Sequence, residues 1–298
     1  MVVWAGLAPA TYFVTHLADP SAAYPGDAFV VAFAWVNLVG LWGASLIAAR
    51  LDALQPTLRD LLPGDSAGEP DPFRAVGSTV GPVVGTVLGS LLFEVADFVA
   101  EPGLALGLRV VPALVGQLAV FVFVWVMLAT LFSLSRLGRL PLRLAPFATD
   151  TTLGLKPFGR LAFVGFAVSI VMVVPLAAAT EADPRSQVVL LATVFLLAAL
   201  FFVSLYRLHG QLVAAKAEHA AWARRLYAAA LGPVQDAPTE ETLSRQSASL
   251  LAAAELERRV GDIAEWPFDD WVLRAVVAIL LGATAGIAAR VVATGLGI

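Results

Sequence analysis

Six stretches of the chain are apolar over roughly the length of a membrane crossing: 28–49, 76–98, 108–134, 161–179, 188–206 and 271–294. About 20 consecutive apolar residues match the hydrocarbon thickness of a bilayer. No water is present there to satisfy backbone amides, so each stretch predicts a helix. Pro82, Pro112 and Pro175 fall inside three of them, which is compatible with spanning because neighbouring helices satisfy the carbonyls that proline frees. The pattern predicts an all-α fold, a polytopic transmembrane helical bundle of about six spans. Residues 1–17 are also mostly apolar but lack the basic leader of a signal peptide. They read as an interfacial segment or half-helix ahead of the first span.

The pattern changes after residue 206. Leu208, Leu212, Ala215, His219, Trp222 and Leu226 alternate by four and three, which places them on one stripe of a helix continuing straight out of the fifth span. Gly232-Pro233 is expected to stop that helix, and Thr239 followed by Glu240 and Glu241 marks the next start. Leu243, Leu250, Leu256, Val260 and Ile263 mark the returning helix. Residues 207–265 therefore predict a cytoplasmic antiparallel hairpin, set between a bundle of five spans (1–206) and a final transmembrane helix (266–298). Leu208, Leu212, His219, Trp222 and Leu226 form the expected interface, packing against a twin in a homo-oligomer or against a cytosolic protein partner. The plainer alternative is a spacer. Residues 55–74, rich in Pro, Gly and Asp, predict a flexible loop.

Charge gives direction to the crossings. Sixteen of the 19 Lys and Arg residues lie in or beside alternate connectors, from Arg50 to Arg274, and only Arg109, Arg185 and Arg290 fall on the other side. Basic connectors stay cytoplasmic, so both termini are expected outside a cell membrane and the hairpin inside. Composition agrees: 59% of residues are hydrophobic and 14% charged, against about a quarter charged in soluble domains, so lipid is the expected solvent. A net charge of −4 without a basic block argues against nucleic-acid binding. The absence of cysteine removes disulfides, thiolate catalysis and sulfur-bound metals.

Four residues could form an intramembrane ion pair or ion site. Glu94 and Asp97 are three apart on one face of the second span. Arg290, near the outer end of the sixth, falls at nearly the depth of Glu94 at about 1.5 Å per residue, and Arg109 competes with it. Ionisable groups in a span usually face the protein and find partners. Gly77, Gly81, Gly85 and Gly89 recur every fourth residue, as do Gly282 and Gly286, a spacing that lets another helix approach closely. Asn37 and Gln117 are intramembrane amides expected to bond a neighbouring helix.

The segment Asp150-Thr-Thr-Leu-Gly-Leu-Lys-Pro-Phe-Gly reads as a turn. Asp150 can accept from amides two residues on, Gly154 permits positive φ, and the residue before Pro157 is held extended. The segment resembles a loop of the form Pro-Asp-x-x-Gly-Gly-Leu-x-Pro-Leu-Gly in uncharacterised multi-pass prokaryotic membrane proteins. The likeness extends to Leu-His-Gly-Gln-Leu (208–212) and Trp-Pro-Phe-Asp (266–269). Thr149 stands where that loop has proline, and Thr152-Leu153-Gly154 departs from its double glycine. The resemblance implies no particular activity, since such families have none settled.

No zinc-protease, P-loop or dinucleotide motif occurs, and no catalytic residue, cofactor or metal is nominated. His209 and His219 are ten residues apart on the hairpin, too far along a helix to share one ion. The expected function is a non-catalytic binding or signalling scaffold acting through the hairpin. The rival is a small-solute or ion transporter using the carboxylates of the second span.

Overall fold

A computed structural model of the chain describes residues 27–63, 71–93, 104–179, 184–236 and 238–295. These residues form seven α-helices, one 3₁₀ turn and no strand: α1 (Asp27–Leu61), the 3₁₀ turn (Arg74–Gly77), α2 (Val80–Phe93), α3 (Leu104–Leu137), α4 (Lys156–Ala179), α5 (Pro184–Asp236), α6 (Glu240–Gly261) and α7 (Asp270–Gly295). Five are long and apolar enough to cross a membrane: α1, α3, α4, α5 and α7. The apolar part of α2 described, Val80–Gly89, is shorter. The protein is an all-helical, multi-pass membrane bundle.

α1 packs on α3 and α4, α2 on α3, and α5 on α3 and α4, while α7 rests mainly on α5. Beyond the bundle α5 doubles back through α6, and these two helices share the most extensive helix contact in the chain. At 1.5 Å per residue the 53 residues of α5 extend about 80 Å. The hydrocarbon core takes about 30 Å of that, so the rest stands clear as the hairpin.

Two helix ends lie beyond their expected positions. α1 continues through Pro56 to Leu61, into the region expected to be a loop, because Leu51, Leu58 and Leu61 carry its apolar stripe onward and are all buried. α5 passes Pro233 and ends at Asp236. A proline takes one amide from the turn before it, and so close to the C-terminus little helix remains to be lost.

The core is densest at the hairpin end. Leu134, Leu137, Leu153, Leu155, Phe158, Leu205, Leu208 and Leu212 are each 0% exposed, and Phe201 is 1%. The physical reason is the change of solvent. Within lipid an apolar side chain gains little by leaving one hydrocarbon surface for another. Where helices emerge into water, each buried leucine contributes about 1.5–3 kcal/mol.

Candidate functional site at the base of the hairpin

The site is built on the turn at 150–155. The Asp150 carboxylate accepts hydrogen bonds from the Thr152 amide (2.9 Å), the Thr152 hydroxyl (2.8 Å) and the Gly154 amide (2.8 Å). Burial pushes its pKa up, but these bonds, with the Lys156 charge, outweigh that and hold it below the ordinary value. Leu153 (φ 53°) and Gly154 (φ 88°) are both left-handed, which reverses the chain. The left-handed conformation costs a non-glycine residue about 1–2 kcal/mol. Full burial of the Leu153 side chain and the bond from the Ala145 amide to its carbonyl (3.0 Å) offset that cost.

α4 begins directly after this turn. Lys156 and Arg160, one turn apart, both reach Asp269, at 2.8 and 3.2 Å. Asp269 stands immediately before α7 and also accepts from the Trp271 indole at 3.3 Å. The Lys156 bond is the main cause of a lowered Asp269 pKa; burial opposes it and Arg160 adds to it. Between the two cations lies Gly159, where a Cβ would stand 1.8 Å from the Pro267 carbonyl oxygen. Glycine is required for this close approach of helix to loop.

α5 completes the junction. His209 Nδ1 lies 2.7 Å from the Glu265 carbonyl oxygen; a carbonyl only accepts, so Nδ1 carries the proton. The Gln211 amide donates to the carbonyls of Gly138 (2.9 Å) and Leu140 (2.8 Å) in the turn that follows α3. The Ala264 amide donates to the Thr151 carbonyl at 2.9 Å. Segments 150–159, 208–212 and 266–269, far apart in sequence, thus meet at one place. Their bonds to one another and to the turn after α3 fix the hairpin to the bundle.

Above the junction the hairpin buries part of its own stripe. Leu208 and Leu212 are fully enclosed within the chain, as part of its single buried cluster, and not on an intermolecular surface as expected. His219 lies against Phe147, ring centroids 5.0 Å apart. Trp222 and Leu226 remain exposed, at 42% and 41%. Thr239 caps α6 and shares a reciprocal capping box with Thr242. Along α6, Arg245 pairs with Glu241, and Arg258 and Arg259 both pair with Glu255. The bonds from Arg258 and then Arg259 lower the Glu255 pKa to about 2.

The remaining candidates are scattered. Glu94 and Asp97 lie outside the described residues, as does any pairing of theirs with Arg109, whose backbone belongs to α3. Gly81 faces the Trp125 ring, and Gly85 and Gly89 face Phe121, so this row admits aromatic side chains of α3 where a close backbone approach was expected. Gly77, Gly282 and Gly286 have nothing within 4 Å of where a Cβ would stand. Asn37 is 1% exposed and donates to the Phe33 carbonyl of its own helix (3.0 Å), where a neighbouring helix was the expected partner. Gln117 is half-buried, with its amide oxygen 3.7 Å from where a Gly89 Cβ would be.

Arg290 lines a cavity of about 470 Å³ between α4, α5 and α7, together with Gln187, Gly282 and Gly286. Gln187, which the sequence did not single out, is 1% exposed. Among the described residues neither of its side-chain polar atoms has a hydrogen-bond partner, a state that costs about 1–3 kcal/mol. No protein-family model, curated protein or solved structure matches the chain.

Proposed function

We propose that the chain is a non-catalytic membrane scaffold whose working part is the hairpin, lying in the cytoplasm with both termini outside, and holding a protein partner against the membrane. The observation that carries this reading is the continuity of α5. One unbroken helix leads from the bundle into the hairpin, and its exit is clamped by Gln211 on the turn after α3 and His209 on the loop before α7. Such a base holds the outer face in a fixed orientation. On that face Trp222 and Leu226, one turn apart, present apolar surface beside Arg225. Exposed large apolar side chains bordered by an arginine are characteristic of contact sites between proteins.

A photo-crosslinking amino acid at position 226, activated in intact membranes, tests the reading. One discrete adduct is expected, lost when Trp222 is changed to alanine. Its mass separates a second copy of the chain from a different cytosolic protein. No adduct, or an adduct indifferent to Trp222, overturns the proposal, as does export of a reporter inserted at position 237.

A further inference from the structure

We propose that the cavity between α4, α5 and α7 binds a lipid alcohol, an elongated apolar molecule whose hydroxyl pairs with the Gln187 amide. The site is independent of the hairpin and stands at the opposite end of the bundle, so it goes beyond the scaffold reading.

The cavity is an aliphatic chamber with an amide near one end. α5 runs from that end of the bundle toward the hairpin, and Gln187 is its fourth residue. Val194, seven residues further along α5, lies about 10 Å deeper at about 1.5 Å per residue. Both line the cavity, together with Ile170 and Val173 of α4 and Ile279 of α7. A volume of about 470 Å³ falls within the roughly 300–1,000 Å³ of ligand sites. Arg290 is on the wall as well but already has a partner, so the assignment rests on the amide and not on charge.

The chemistry of the occupant follows from both halves of that amide being unused. Gln187 is 1% exposed, and among the described residues neither its Nε2 nor its Oε1 has a hydrogen-bond partner. Buried polar groups ordinarily have one. Nε2 needs an acceptor and Oε1 needs a donor. A hydroxyl is the smallest group that is both. A quinone carbonyl, an ester or a carboxylate only accepts and leaves Oε1 unpaired, while an ammonium group only donates and leaves Nε2 unpaired. Water does both, but apolar cavities stay dry and take apolar ligands, and the wall beyond Gln187 is Leu190, Val194 and the residues facing them. An aliphatic body behind the hydroxyl fills that space. It has a route in from the bilayer: Gly282 and Gly286 line the cavity and are exposed, with nothing within 4 Å of where their Cβ atoms would stand.

The test uses the full chain in lauryldimethylamine oxide, a detergent without hydroxyl groups. It is titrated separately with oleyl alcohol, geranylgeraniol and dioctanoylglycerol, and with oleyl methyl ether, which only accepts. Adducts are read by native mass spectrometry and thermal shift. An adduct with at least one alcohol is expected, and which one it is distinguishes a fatty alcohol, a prenol and a diacylglycerol. Oleyl methyl ether is expected to bind roughly tenfold more weakly than oleyl alcohol, the size of a lost hydrogen bond. Gln187→Leu removes the unpaired amide, so the empty protein is expected to melt higher while the alcohol falls to the level of the ether. A merely structural glutamine would give the opposite shift in melting. Val194→Phe and Ala283→Leu narrow the chamber from two different helices, and whichever elutes as a single species is expected to lose the adduct. Absence of every alcohol adduct, equal binding of ether and alcohol, or undiminished alcohol binding by Gln187→Leu overturns the proposal.

Discussion

His209 lies flat on Trp266, with ring centroids 4.3 Å apart and planes 17° from parallel. Trp266 in turn stacks on Phe268 at 5.5 Å, and Phe268 touches Phe201 at 5.6 Å. The aromatic row ties the exit of α5 to the loop before α7, while the histidine Nδ1 holds the Glu265 carbonyl. An aromatic pair contributes about 0.5–1.5 kcal/mol beyond its burial, and a hydrogen bond about as much again. His209→Ala is expected to destabilise the chain by about 1–3 kcal/mol and His209→Phe by about half that, since the stack survives. Thermal unfolding in detergent checks both. An unchanged midpoint for His209→Ala would contradict the clamp.

Two glycines separate steric need from helix propensity. At Gly159 a methyl group would run into the Pro267 backbone carbonyl, which has no rotamer to turn aside. Gly159→Ala is expected to cost about 3 kcal/mol or more, seen as loss of monodisperse protein. At Gly210, one residue past His209, nothing lies within 4 Å. Gly210→Ala is expected to raise stability by about 0.5–1 kcal/mol through helix propensity alone. Opposite signs in the same melting assay are the result to look for.

The sequence disclosed the parts that depend on repetition. Long apolar runs named the spans, the four-three stripe named the hairpin, and Thr239 was legible as a helix start because capping is local. What it could not disclose depends on which side chains meet. The row Gly81, Gly85, Gly89 was visible as a spacing, but its use as a seat for Phe121 and Trp125 requires knowing which face of α3 turns toward α2. Gln211 carries no local signal at all, since its partners are carbonyls more than 70 residues away. Gln187 had one faint mark, an amide at the threshold of the long apolar run of α5. Trp266 was legible as the start of Trp-Pro-Phe-Asp and not as one layer of a stack.

Acidification should loosen the junction. Asp150 and Asp269 both titrate below the ordinary aspartate value of 3.8 in the folded chain. A depressed folded pKa contributes stability that is complete above the unfolded value and is lost as pH falls through the folded one. Melting temperature is therefore expected to be level from neutral pH down to about 5 and to fall below about 4. Asp150→Asn should flatten that descent while lowering stability at neutral pH, because the neutral amide makes weaker bonds to the Thr152 and Gly154 amides. Parallel acid profiles for the wild type and the Asp150→Asn variant would show that Asp150 takes no part.

The hairpin stripe provides the sharpest separation of folding from function. Leu212 is 0% exposed and Trp222 42% exposed, although both belong to the same four-three repeat. Leu212→Ala opens a cavity in the junction core and is expected to cost about 2–5 kcal/mol, so any loss of partner contact it causes is a loss of fold. Trp222→Ala and Leu226→Ala remove partly exposed side chains and are expected to cost about 1–2 kcal/mol, less than Leu212→Ala. If the hairpin's outer face holds a partner, Trp222→Ala loses the adduct formed from position 226 while melting well above Leu212→Ala. Leu212→Ala melts early whether a partner is present or not. A Trp222→Ala chain that unfolds as readily as Leu212→Ala would make the exposed tryptophan part of the fold and remove the surface on which the scaffold reading depends.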